Sequence, residues 1–133
     1  MPIQTKFVRD GRVMINTYTE PLEMTEVDAM VDRVNREVLD KAVAIIHTIS
    51  DVTQIRELPP RMLSGARAVN RKRHRMAGYS YIVVKPGLIS AMTRSLLAVL
   101  GSKQLQISYS VDDALGKIDQ ALSQESSNRE VKS

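Results

Sequence analysis

Hydrophobic positions along this chain change their period several times, and each change marks an element. In "KFVRDGRVMINTY" two short β-prone runs flank Asp10-Gly11. Both residues of an Asp-Gly pair tolerate positive φ, so an antiparallel hairpin is predicted. "MTEVDAMVDRVNREVLDKA" places Val27, Met30, Val31, Val34 and Val38 on one face of a helix. Thr25, followed three residues later by Asp28, is a capping-box-like start, and Glu26 and Asp28 suit the positive end of the helix dipole. "AVAIIHTIS", Ala42 to Ser50, is apolar and rich in β-branched residues, the pattern of a strand buried on both faces. "DVTQIRELPP" follows as a loop. Pro59 or Pro60 opens a second helix with Met62, Leu63, Ala66 and Val69 inward.

"GYSYIVVKPG" reads as a strand with a breaker at each end, and "LISAMTRSLLAVLG" as a third helix. Leu88, Met92, Leu96 and Val99 share its face, and Gly101 supplies the C-terminal cap. "QLQISY" is a last short strand. "SVDDALGKIDQAL" is a last helix, opened by Ser110 with Asp113 and packed through Val111, Ala114, Leu115, Ile118 and Leu122. Residues 123–133 are polar and are expected as a disordered tail behind a single domain over residues 1–122. The order β-β-α-β-α-β-α-β-α predicts an α/β domain. Its five-stranded sheet is mainly parallel, with an N-terminal antiparallel hairpin strand and four helices.

Composition narrows the chemistry. At 133 residues and 43% hydrophobic, the chain can bury one core, but aromatics are only 4%, so aliphatic residues and methionine must fill it. Cysteine is absent, which excludes a disulfide framework, a thiolate metal site and a cysteine nucleophile. The start, "MPIQTKFVRDGR", has no apolar signal-peptide core, and no apolar run approaches the roughly 18 residues of a membrane span. A soluble, cytoplasmic protein is expected.

The net charge of +4 is unevenly spread. Residues 58–111 contain nine Lys and Arg and no Asp or Glu, whereas both flanking segments are net negative. A long stretch without an acid is more informative than the total.

Two segments carry a family resemblance. "IIHTISDVTQI" resembles the central strand and loop of the STAS family, the anti-sigma factor antagonist-like domains. "YSVDDALGKI" resembles that family's final strand–helix junction. The likeness of element order covers roughly Lys6 to Leu122. It implies a STAS-like α/β domain that is a small binding or partner-switching module rather than a hydrolase. The family's phosphorylatable serine segment falls on Arg56, Glu57 and Leu58, and its strand aspartate falls on Thr48. The resemblance therefore implies a divergent member without the phospho-switch.

Candidate sites follow from this order. The 51–60 loop lies at the carboxyl end of a central strand, where open α/β sheets bind ligands. Asp51, Thr53, Arg56 and Glu57 are its polar candidates for a ligand or partner, and the helix that follows offers free N–H groups to an anion. The plainer reading is that Glu57 only complements a helix dipole. "KPGLISAMTRS", with Gly87, is a weaker candidate of the same kind. "NRKRHR" supplies Arg71, Lys72, Arg73 and Arg75, which with Arg61 and Arg67 make a candidate basic patch. No aromatic residues interleave it and no recognition motif accompanies it, so specific nucleic-acid binding is not expected. Its plainer reading is a solvated helix end.

His47 and His74 lack metal-ligand spacing, and no Gly-rich phosphate loop or G-x-S-x-G elbow occurs. No metal, cofactor or catalytic residue is assigned. His47 reads as a packed strand residue. His74, flanked by cations, is expected to resist protonation. The expected function is non-catalytic binding or regulation through a protein partner or small ligand, with homo-oligomer formation left open. The alternatives are a small-ligand or lipid-binding domain with an apolar pocket beside the sheet, and nucleic-acid binding through the basic 67–75 strip.

Overall fold

The structure is a computed structural model that describes residues 2–100 and 104–132. The described residues form β1 (Ile3–Val8), β2 (Val13–Tyr18), α1 (Met24–Glu37), β3 (Ile46–Asp51), α2 (Met62–Arg71), β4 (Ala77–Val83), α3 (Leu88–Leu100), β5 (Leu105–Ser108) and α4 (Val111–Lys132). A 3-10 turn, Leu39–Lys41, follows α1. The strands make one sheet in chain order, with β1 antiparallel to β2 and the rest parallel. This is the α/β architecture, with a five-stranded mixed sheet and four helices, that the hydrophobic pattern predicts.

Strand order decides where the helices lie. Each crossover from β2 to β5 advances one strand in the same direction, and crossovers of one hand then place their helices on one face. α1, α2 and α3 share that face, and α4 closes the other. Alternation along β2 serves both: Val13 and Ile15 join Ile49, Tyr81 and Val83 under Ala114 and Ile118 of α4. Met14 and Tyr18 join Ile46 under Met30, Val34 and Leu39.

The hairpin turns where Asp10-Gly11 was expected, but Arg9 also adopts positive φ, so three successive residues are left-handed. The Arg9 guanidinium is tied to Asp119 of α4 at 2.8 Å. Several boundaries move. The strand expected from Ala42 starts only at Ile46, the residues before it form a turn and loop, and Val43 is fully exposed. α1 begins at Met24 behind Glu23, which makes no side-chain cap, so Thr25 is inside the first turn. Half of the Ser110–Asp113 box forms: the Asp113 N–H donates to Ser110 Oγ at 3.0 Å, while the Asp113 carboxylate accepts from Ser108 at 2.7 Å. α4 does not stop at Leu122. It runs through the expected tail to Lys132, and Glu125 on this extension accepts from Arg12 at 2.6 Å. Gly101, the expected cap of α3, lies outside the described residues.

Candidate functional site

Parallel central strands covered on both faces normally carry apolar residues at nearly every position. The face of this sheet under α1–α3 departs from that. Asn16 on β2 stands beside Ser50 on β3, and Thr48 on β3 stands beside Ser80 on β4. These side chains floor a cavity of about 280 Å³ whose walls come from Val27 and Met30 of α1, Met62 and Ala66 of α2, and Leu97 and Leu100 of α3. Thr48, Ser50, Ser80 and Ile82 are only half-buried although they lie on the two middle strands.

The cavity exists because α2 stands off the sheet. Gly65 allows a close approach to α1: a Cβ there would lie 2.8 Å from side-chain atoms of Met24. α2 leans on α1, and none of its residues is fully buried. Met62, Ala66 and Val69 line the cavity as expected, but Leu63 is 42% exposed. α3 is also turned from its expected face. Met92 is 43% exposed, while Ser90 and Thr93 are buried and Leu96, Leu97 and Leu100 reach the cavity. The side chains of Leu88 and Val99 lie outside the described residues.

The floor keeps hydrogen-bonding capacity in reserve. Asn16 is 1% exposed, and its Oδ1 accepts from Thr5 Oγ1 at 2.6 Å. Its Nδ2 has no acceptor among the described residues. Tyr18 is hydrogen-bonded to Ser50, and burial pushes its phenol above the ordinary range, so it stays neutral. The hydroxyls of Thr48 and Ser80 have no partner among the described residues. The signal for this floor was present in the sequence, as polar residues at alternate positions of three neighbouring strands. It needed the strand register to be read as one surface.

The 51–60 loop is organised differently from expectation. Asp51 and Thr53 do come together: Asp51 Oδ1 accepts from the Thr53 N–H at 3.0 Å and from Thr53 Oγ1 at 2.7 Å. Arg56 and Glu57 contribute chiefly their backbone, with a smaller attraction from the Arg56 charge to Glu20. Their N–H groups donate to Glu20 Oε1 at 2.5 and 3.2 Å, and these bonds hold the Glu20 carboxyl below its ordinary range. The chain's own carboxylates thus take donors that an external anion would need. α2 begins at Met62, after both prolines, behind an uncapped Arg61 with positive φ. Gly87, also at positive φ, precedes α3.

The basic stretch is divided among three tasks. Lys72 Nζ donates to Asp28 Oδ1 at 2.8 Å and Asp32 Oδ1 at 3.0 Å, which clamps the end of α2 to α1. Arg73 turns inward, lines the cavity and donates to the Gly78 carbonyl. Arg61, Arg67, Arg71 and Arg75 remain exposed. His74 does not meet the cations beside it in sequence. Its Nδ1 accepts from the Met76 N–H at 3.0 Å, and its Nε2 lies 2.7 Å from Asp40 Oδ1. With Nδ1 accepting, the Nε2–H donates to Asp40 Oδ1.

On the α4 face, His47 is buried and its Nδ1 accepts from the Tyr79 N–H at 2.9 Å. Its Nε2 is buried without a hydrogen bond, and Glu125 Oε1 lies 3.7 Å away. Burial lowers the His47 pKa, partly offset by Glu125. Among the described residues, no group of three or more His, Asp or Glu is arranged to hold a metal, and no helix is long and apolar enough to cross a membrane. Comparison of the chain with family models, curated proteins and solved structures finds no match.

Proposed function

We propose that this domain is a non-catalytic binding module, STAS-like in its element order, whose cavity between the sheet and α1–α3 takes a small amphipathic molecule. The carrying observation is the half-buried row of Thr48, Ser50 and Ser80 at the centre of the sheet, beneath aliphatic helix faces. Of these, the hydroxyls of Thr48 and Ser80 have no protein partner among the described residues, and a molecule held in this largely apolar recess completes their hydrogen bonds. Binding sites for small molecules commonly combine apolar walls with a few convergent polar groups. At about 30 Å³ per water-sized group, a cavity of about 280 Å³ accommodates roughly nine to ten non-hydrogen atoms. Among the sequence-derived alternatives, the small-ligand reading has the strongest support. The segment 54–60 has no hydroxyl side chain, so ligand occupancy rather than phosphorylation of this loop would be the module's input.

The test is a two-dimensional amide NMR titration of the full chain with 1-octanol, a neutral amphiphile of the right size. Saturable shifts are expected at Thr48, Ser50, Ser80 and Ala66, with Tyr81 and Ile118 on the α4 face unmoved. No shift, or a diffuse response over both faces, would overturn the reading.

A further inference from the structure

Residues 72–74 follow α2 consecutively, yet only two of them find a carboxylate. Lys72 has Asp28 and Asp32, and His74 has Asp40. Arg73, like its two neighbours, lines the cavity, and its guanidinium donates to the carbonyl of Gly78. The segment that surrounds it in sequence, residues 58–111, has no Asp or Glu to offer. A guanidinium carries five N–H donors and a permanent charge. A partly buried charge without a counter-ion is costly, and here burial works against Arg73 with no opposing carboxylate.

We infer that Arg73 receives the acid group of the cavity's ligand, which is a monoanionic aliphatic carboxylate of about ten non-hydrogen atoms. This rests on the small-ligand reading above. The planar fork of a guanidinium matches a carboxylate through two parallel bonds. Among the described residues that line the cavity, Arg73 is the cation without a carboxylate, and it balances one charge. A phosphate monoester carries about −1.5 to −2, and the neighbouring Lys72 and His74 are already committed to α1 and the 3-10 turn. The aliphatic body then lies along Met62, Ala66 and Leu97, over the hydroxyl floor.

Calorimetric titration of the full chain with octanoate and with 1-octanol separates the two claims. The wild type is expected to bind octanoate at least tenfold more tightly. Arg73→Gln is expected to erase that preference, read as the ratio of the two affinities within the variant, and Arg73→Lys to retain part of it. Equal wild-type affinities for the acid and the alcohol would overturn the assignment of Arg73 and leave the cavity reading standing. Binding of neither compound would overturn both. If Arg73→Gln unfolds because the bond to Gly78 is lost, the wild-type pair and Arg73→Lys still decide the matter.

Discussion

The backbone N–H of Tyr79 donates to Nδ1 of His47 at 2.9 Å, and the two rings stack with centroids 5.6 Å apart. This contact sits at a break in strand register. Ile46 pairs with Ala77 but Thr48 pairs with Ser80, so β4 carries one extra residue opposite His47. The bulge lets Ala77 and Ser80 both face the cavity while Tyr79 turns to the α4 side, and it needs a residue without a side chain at Gly78.

Gly78→Ala should therefore destabilise the protein. A Cβ at that position would lie 2.3 Å from His47 Nδ1 and 2.6 Å from Ile45 Cγ2. A loss of about 1–3 kcal/mol is expected from overpacking. Urea unfolding provides the measurement. In a His47→Ala background the penalty should shrink, because the nearer obstacle is gone. Equal penalties in both backgrounds would show that the imidazole does not set the constraint.

His47 makes stability depend on pH in a defined window. Its folded pKa lies below the ordinary value of 6.5 because burial disfavours the imidazolium. The unfolded chain then binds the extra proton first as pH falls, so stability is complete above about 6.5 and declines below it. Glu125 of α4 and Arg12 of the hairpin turn face the ring with opposing effects. Glu20, Asp113 and Asp119 have lowered carboxyl pKa values, so their contributions fade only at more acidic pH. Thermal midpoints between pH 7.5 and 5.5 should fall for the wild type and stay level for His47→Gln.

Thr48→Val should leave stability unchanged or raise it by up to about 1 kcal/mol, since it removes a hydroxyl that lacks a protein partner and keeps the shape. The same change should weaken binding of 1-octanol in the amide titration. A loss of stability above 1 kcal/mol in thermal unfolding, with binding unaffected, would assign the hydroxyl a structural role instead.

The basic stretch should attract polyanions weakly and without sequence preference. Arg61, Arg67, Arg71 and Arg75 are the cations left on the surface, whereas Lys72 and Arg73 are engaged internally. Anisotropy titrations with labelled DNA should show binding at low salt that fades near physiological salt, because phosphate contacts release counter-ions. Alanine at Arg67 and Arg71 should reduce it more than alanine at Lys72. Sequence-selective binding that survives physiological salt would contradict this.

Much of the architecture was legible in the chain because it rests on local chemistry. Asp10-Gly11 announced its hairpin through the φ angles it tolerates, and the spacing of Val111, Ala114, Leu115 and Ile118 announced α4 and its buried face. Alternating strands and helices then left one economical topology. Boundaries were less legible where long-range contacts decide them: Glu125 meets Arg12 across 113 residues, and no local signal past Leu122 reports that the helix continues.

The candidate site belongs almost wholly to tertiary structure. Asn16, Ser50, Thr48 and Ser80 are unremarkable polar residues in sequence, and only the register of β2, β3 and β4 makes them one surface. The sequence by itself determined the charge of "NRKRHR", but not the direction of each side chain. Asp28, Asp32 and Asp40 lie more than 30 positions away, and they pair with Lys72 and His74, so that among the three described cavity-lining side chains only Arg73 is left without a carboxylate. Charge is a property of the residue; its partner is a property of the fold, and here the partner separates a surface cation from a candidate ligand anchor.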